Sequence, residues 1–94
     1  MYTIKISEAA LEDISDSVKW YNEQLEDLGA DFTKQVFTTL TLVETNPLHY
    51  SIRFSGKFHF AKITRFPFLI VYEIVEDIII INAVFHTSRN PSKF

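Results

Sequence analysis

Two arginines and one histidine in the C-terminal third are the side chains best suited to act on an anionic group. Arg65 and Arg89 carry guanidinium groups, which bind phosphate in a bidentate manner, and His86 lies three residues before Arg89. Imidazole exchanges a proton near neutral pH, so the three together have the groups that RNA cleavage through a 2′-hydroxyl needs. Lys62 and Lys93 add outer positive charges. We therefore predict that these five residues form the functional surface.

Each of the three central residues also has a purely structural interpretation. His86 ends a predicted strand, where a ring nitrogen commonly bonds a backbone group. Arg65 can form a surface ion pair, and Arg89 can anchor the tail. The residue types alone leave these alternatives open.

Composition limits the class of protein and the chemistry. The 94 residues are 47% hydrophobic, which predicts one small domain over residues 1–94. There is no cysteine, and His49 and His59 lack the spacing of metal ligands, so we expect no metal and no cofactor. No apolar run approaches the ~20 residues of a membrane helix, and no signal peptide is evident. We expect a cytoplasmic protein without a membrane partner.

Charge is distributed unevenly between the two halves. The net charge is −3, which argues against direct binding to duplex DNA by this chain. Residues 1–46 hold three basic and nine acidic groups, whereas residues 47–94 hold six basic and three acidic ones. An anionic ligand is therefore expected to meet the C-terminal half.

The N-terminal half is predicted to form a strand and a helical hairpin. Residues 2–6 alternate apolar and polar side chains, as a half-buried strand does. Ser7 then suits a helix N-cap, and an apolar stripe runs to Leu28, with Gly29 as the predicted C-cap. Asp31 to Asn46 carries a second stripe and ends at Pro47. The first helix exposes an acidic polar face.

The C-terminal half is predicted to form an antiparallel meander. Phe58 to Arg65, Phe68 to Val75 and Ile78 to His86 are rich in β-branched and aromatic residues, and Glu76-Asp77 is predicted to form a hairpin loop. Leu48 to Ser55 reads as either a short strand or a loop. The order β-α-α-β-β-β predicts a two-layer α+β domain with the hairpin on one sheet face. The last two strands are apolar on both faces, so the second face either meets a partner or is covered by the chain itself.

The motifs in this half resemble those of the RelE/ParE toxin superfamily, and the ParE type in particular. The matching elements are Arg65-Phe-Pro-Phe68, Ile70-Val-Tyr72 and Ala83-Val-Phe-His-Thr-Ser-Arg-Asn-Pro91. The resemblance implies the toxin of a type II toxin–antitoxin pair, neutralised by a cognate antitoxin that lies along its helices and sheet.

Two toxic activities are implied by the resemblance. ParE-like members bind and block DNA gyrase, whereas RelE-like members cleave mRNA on the ribosome. The RelE type uses basic residues near the positions of Arg65 and Arg89 and an aromatic residue near the C-terminus. This chain lacks a dense basic cluster, and Phe94 has no hydroxyl. We therefore favour the gyrase inhibitor, with the endoribonuclease and a non-toxic interaction module of the same fold as alternatives. Arg65, His86 and Arg89 would be catalytic only in the endoribonuclease.

Overall fold

The computed structural model describes residues 1–50 and 52–88. The chain begins with strand β1 and helices α1 and α2, and a single 3-10 turn at Pro47–His49 follows α2. The bounds of the elements are Thr3–Ile6 (β1), Glu8–Gln24 (α1), Leu28–Thr45 (α2), Ile52–Arg53 (β2), Phe54–Lys57 (α3), Phe58–Lys62 (β3), Phe68–Val75 (β4) and Ile78–His86 (β5). The predicted β-α-α-β-β-β order is confirmed, and the ambiguous segment before β3 contributes the two-residue strand β2.

The strands form one sheet in the order β1-β5-β4-β3-β2, with α1 and α2 packed on one of its faces. β2 to β5 pair antiparallel, and Val75 faces Ile78 across the predicted two-residue loop. β1 is parallel to β5, with Thr3 opposite Ile78. The two-layer α+β class is confirmed. The sheet is mixed rather than wholly antiparallel, because β1 reaches the β5 edge through two helices and not through a turn.

Ser7 and Asp13 attach the start of α1 to the sheet. The Ser7 hydroxyl accepts the N–H of Ala10 at 3.1 Å, which is the predicted N-cap interaction. Asp13 belongs to the polar face, but its carboxylate accepts the backbone N–H of Val84 at 3.0 Å. β1 pairs with β5 only as far as Ile81, so Asp13 supplies an acceptor beyond the end of that pairing. The acidic face of α1 is therefore partly structural.

Gly29 does not cap α1, as the sequence predicted, but lies in the first turn of α2. α1 ends earlier, at Gln24, because Leu25 adopts an extended backbone. Asn22 accepts the N–H of Gly29 at 2.8 Å, and an added Cβ at Gly29 would lie 2.7 Å from both Asn22 Oδ1 and the carbonyl oxygen of Val18. Glycine is needed here because the two helices approach each other too closely for a side chain.

We expect Gly29→Ala to destabilise the fold by about 1–3 kcal/mol, because the new methyl group overpacks the helix contact. Each kcal/mol corresponds to a fall in Tm of about 4–8 °C in a domain of this size. Thermal unfolding measures the effect, and Lys34→Ala, at an exposed position of the same helix, is the control. A Tm equal to that of the control would show that the hairpin widens without cost.

Four aromatic rings form the centre of the core between the helices and the sheet. Tyr21 and Phe32 come from the two helices, and Phe66 and Phe68 come from the start of the β4 region. Phe32 lies 4.8 Å from Phe68 and 5.3 Å from both Tyr21 and Phe66, measured between ring centroids. Such offset and edge contacts are favourable beyond the area they bury.

A β-bulge at Asn82 decides which side chains of β5 face the helices. Val71 pairs with Ala83 and Tyr72 pairs with Ile81, so Asn82 is an extra residue in the register. Ile81 and Val84 consequently both pack in the core under the helices, whereas Ala83 belongs to a second cluster. The bulge therefore shifts the alternation for the rest of β5.

The second sheet face has a buried apolar centre. Its cluster is formed by Phe60, Val71, Ala83 and Phe85, flanked by Phe58 and Leu69, and the four central residues are at most 8% exposed. The centre of this face is therefore buried within the chain, whereas Val75, on the same face of β4, is 46% exposed. Large exposed apolar side chains lie on the helices, at Leu11, Trp20, Phe37 and Leu42, and also outside them, at Met1, Leu25, Leu48, Ile52 and Val75.

Candidate functional site

The turn between β3 and β4 presents Arg65 to solvent. β3 ends at Lys62, three residues before the predicted end of the strand, because the chain turns at residues 63–68, where Ile63 N–H donates to the carbonyl oxygen of Phe68 at 3.0 Å. Phe66 and Phe68 are buried in the core on one side of the turn, and Arg65 is exposed with a φ of 73°. A non-glycine residue in this left-handed region is strained by about 1–2 kcal/mol. The aromatic anchors hold that conformation in place.

A pocket of about 500 Å³ opens beside this turn. It is lined by Lys62, Ile63, Arg65, Phe66, Pro67 and Thr87. None of the described lining residues is acidic, and within residues 1–50 and 52–88 no carboxylate lies within ion-pair distance of Arg65. The surface ion pair considered for Arg65 is therefore not formed with this part of the chain. The pocket has the size of a small-ligand site and two cations at its wall.

His86 lies at the same end of the sheet, opposite Phe68 in the register of β4 and β5. Its ring stands edge-on to Phe68, with centroids 5.2 Å apart and planes at 82°. The Ser88 N–H donates to His86 Nδ1 at 3.0 Å, which is the backbone interaction that the strand-end alternative predicted. Because the bulge at Asn82 shifts the alternation, His86 points to the helix side of the sheet.

Three of the five predicted site residues can be placed. Lys62 and Arg65 line the pocket, and His86 immediately precedes Thr87, a further lining residue. Arg89 and Lys93 lie outside the described residues, as does Phe94. The geometry therefore brings Lys62, Arg65 and His86 to one end of the sheet.

Sequence reasoning missed Thr87 and Pro67 as lining residues of the pocket. The Thr87 N–H donates to the carbonyl oxygen of Pro67 at 2.9 Å and so joins the end of β5 to the Arg65 turn. Trp20 does not line the pocket: it is 39% exposed on α1 and contacts Tyr21, which packs against Phe66.

A second group of titratable side chains, around His59 and Tyr72, is buried away from the pocket. The two rings stack 5.0 Å apart, His59 Nδ1 lies 2.9 Å from the carbonyl oxygen of Tyr50, and the Tyr72 hydroxyl donates to the carbonyl oxygen of Pro47 at 2.6 Å. Burial, with a smaller contribution from Tyr50, raises the pKa of Tyr72 above its usual value. The phenol thus stays protonated, and the group anchors the segment after α2.

The chemistry available at the site is binding of an anionic group. Among the described residues there is no cluster of three His, Asp or Glu side chains that could hold a metal ion. None of the described helices is long and apolar enough to cross a membrane. The fold and the pocket define a small two-layer α+β domain with a basic site at one end of its sheet.

Comparison with known proteins identifies the family. Residues 4–91 match the ParE toxin family, described as the ParE toxin of the type II toxin–antitoxin system parDE. The chain therefore belongs to the ParE toxin family. A solved chain of the chromosomal ParDE system from P. aeruginosa has the same fold, with a TM-score of 0.81 at 12% identity over 92% of this chain and 96% of that one. No curated protein sequence gave a significant match.

Proposed function

We propose that this chain arrests growth by binding DNA gyrase, and that a cognate antitoxin encoded beside it neutralises it in the cytoplasm. The observation that carries the proposal is the basic pocket beside Arg65 in a member of the ParE toxin family. A pocket with two cations and an aromatic wall suits recognition of an acidic surface on a protein target.

The position of His86 favours a binding inhibitor over the RelE-like endoribonuclease. A general base needs a free lone pair within reach of the proton that it removes. Nδ1 of His86 accepts the Ser88 N–H, so the lone pair nearest the turn is already used. Arg65 and Lys62 supply charge but no proton acceptor, because both side chains only donate hydrogen bonds.

The antitoxin is expected to dock on the helical layer. Four large apolar side chains are exposed there, namely Leu11, Trp20, Phe37 and Leu42. The half of the chain that contains the helices is also strongly acidic, so an antitoxin segment with apolar and basic residues would complement it.

We expect Phe37→Ala to weaken antitoxin binding by roughly 30-fold, the effect of losing an aromatic hot spot worth about 2 kcal/mol. Phe37 is 50% exposed, so the Tm should change little. Titration calorimetry with the antitoxin encoded beside the gene measures the effect, and Lys34→Ala, one turn away, is the control. Unchanged affinity in Phe37→Ala would place the antitoxin elsewhere.

Induced expression distinguishes the proposed activities. Gyrase inhibition should stop DNA replication and induce the DNA-damage response, and purified protein should block supercoiling by gyrase. Ribosomal mRNA cleavage would instead halt translation at once. An inert protein with no antitoxin gene beside its own would favour the non-toxic interaction module.

A further inference from the structure

Two hydrogen bonds fix the chain where it leaves β5. The Thr87 N–H donates to the carbonyl oxygen of Pro67 at 2.9 Å. The Ser88 N–H donates to His86 Nδ1 at 3.0 Å, and the Ser88 hydroxyl lies 3.3 Å from the same nitrogen. An acceptor that binds the N–H two residues further on defines an Asx turn, which Asn and Asp normally make. His86 makes the same turn with a ring nitrogen.

We propose that His86 is a positioning residue that shapes the basic pocket through this turn. Its Nδ1 accepts the Ser88 N–H, the Thr87 N–H between these two residues donates to Pro67, and Thr87 lines the pocket that Arg65 also lines. The wall of the pocket therefore consists of two segments, the β3–β4 turn and the end of β5, joined at this point. The inference rests on the proposed function only for the identity of the ligand. The geometry of the turn is independent of that function.

An alanine substitution would remove three features of His86 at once: the Nδ1 acceptor, the Nε2 proton and the ring itself. Nδ1 accepts an N–H and so carries no proton, which places the ring proton of the neutral imidazole on Nε2. The ring also packs against Phe68. Three variants isolate these features. Asn keeps an acceptor at the position of Nδ1, Phe keeps the ring, and Gln carries an amide nitrogen near the position of Nε2.

The test compares His86→Asn, His86→Phe and His86→Gln for inhibition of gyrase and for growth arrest. We expect His86→Asn to match the wild type, and the Phe and Gln variants to lose roughly 3- to 10-fold, the effect of one hydrogen bond. Activity retained only by Phe would assign the effect to packing, and activity retained only by Gln would assign it to a donor. Equal loss in all three would indicate proton transfer. Each of these results, or no loss in any variant, overturns the proposal.

A second measurement does not depend on toxicity. In the isolated protein the Ser88 amide should be protected from hydrogen exchange in the wild type and in His86→Asn, but should exchange faster in His86→Phe. Ser88→Ala is the control, because it removes the hydroxyl and keeps the N–H, so its amide should stay protected. Fast exchange of this amide in the wild type would refute the turn. If the wild type arrests no growth while the exchange pattern holds, the proposed function fails and the geometry stands.

Discussion

Replacing Arg65 with glycine is expected to abolish most of the toxicity while leaving the fold equally stable or slightly more stable. Hydrogen bonds from a guanidinium to a charged partner contribute about 1.5–3 kcal/mol, so their loss weakens target binding by roughly 10- to 150-fold. Stability should not fall, because Arg65 is exposed and its φ of 73° is one that glycine adopts without strain. Binding to gyrase and the Tm measure the two effects separately.

Glu76→Gly is the matched control for this experiment. Glu76 also has a positive φ, of 56°, and is also exposed, but it lies in the β4–β5 turn at the other end of the sheet. Its replacement should change the Tm to a similar degree and leave toxicity intact. Arg65→Lys tests whether charge alone suffices, because lysine lacks the bidentate geometry. Full toxicity in Arg65→Gly would show that the target binds elsewhere.

Phe32→Ala is expected to lower the free energy of unfolding by about 3–5 kcal/mol, the largest effect on stability of any change considered. Phe32 is fully buried and contacts three other rings of the aromatic core. Small domains are stable by only about 5–15 kcal/mol, so the variant should unfold partly at growth temperature. Denaturant unfolding measures the loss, and growth arrest should become temperature-sensitive.

Phe37→Ala is the control for the effect of Phe32, because it removes the same ring from an exposed position of the same helix. Its stability should change by about 0.5 kcal/mol or less. A loss below about 1 kcal/mol in Phe32→Ala would mean that the aromatic cluster relaxes around the cavity. The Arg65 turn would then be held by Phe66 and Phe68 without support from α2.

The sequence by itself determined the elements whose signals are local. Ser7 predicted the start of α1, because its cap interaction involves only the first turn. The stripe through Phe32 and Val36 predicted α2, and the loop at Glu76 predicted the β4–β5 hairpin. The motif around Arg65 also predicted the family, which the match over residues 4–91 bears out. Within the described chain, Lys62 ends β3 and Arg65 lies in the turn that follows, so both line one pocket, and their role in target binding stays a prediction.

Only the tertiary structure decided how those elements meet. Gly29 reads as a helix cap in the sequence, but the reason for glycine is the close approach of α1, which no local pattern encodes. The parallel pairing of β1 depends on a long-range contact with β5, whose other edge pairs with β4. The bulge at Asn82 depends on pairing with β4 and shifts every later side chain of β5 to the opposite face. That shift turns His86 toward Phe68 and the helices, where its ring nitrogen accepts the Ser88 N–H, and so it sets the chemistry that His86 can perform.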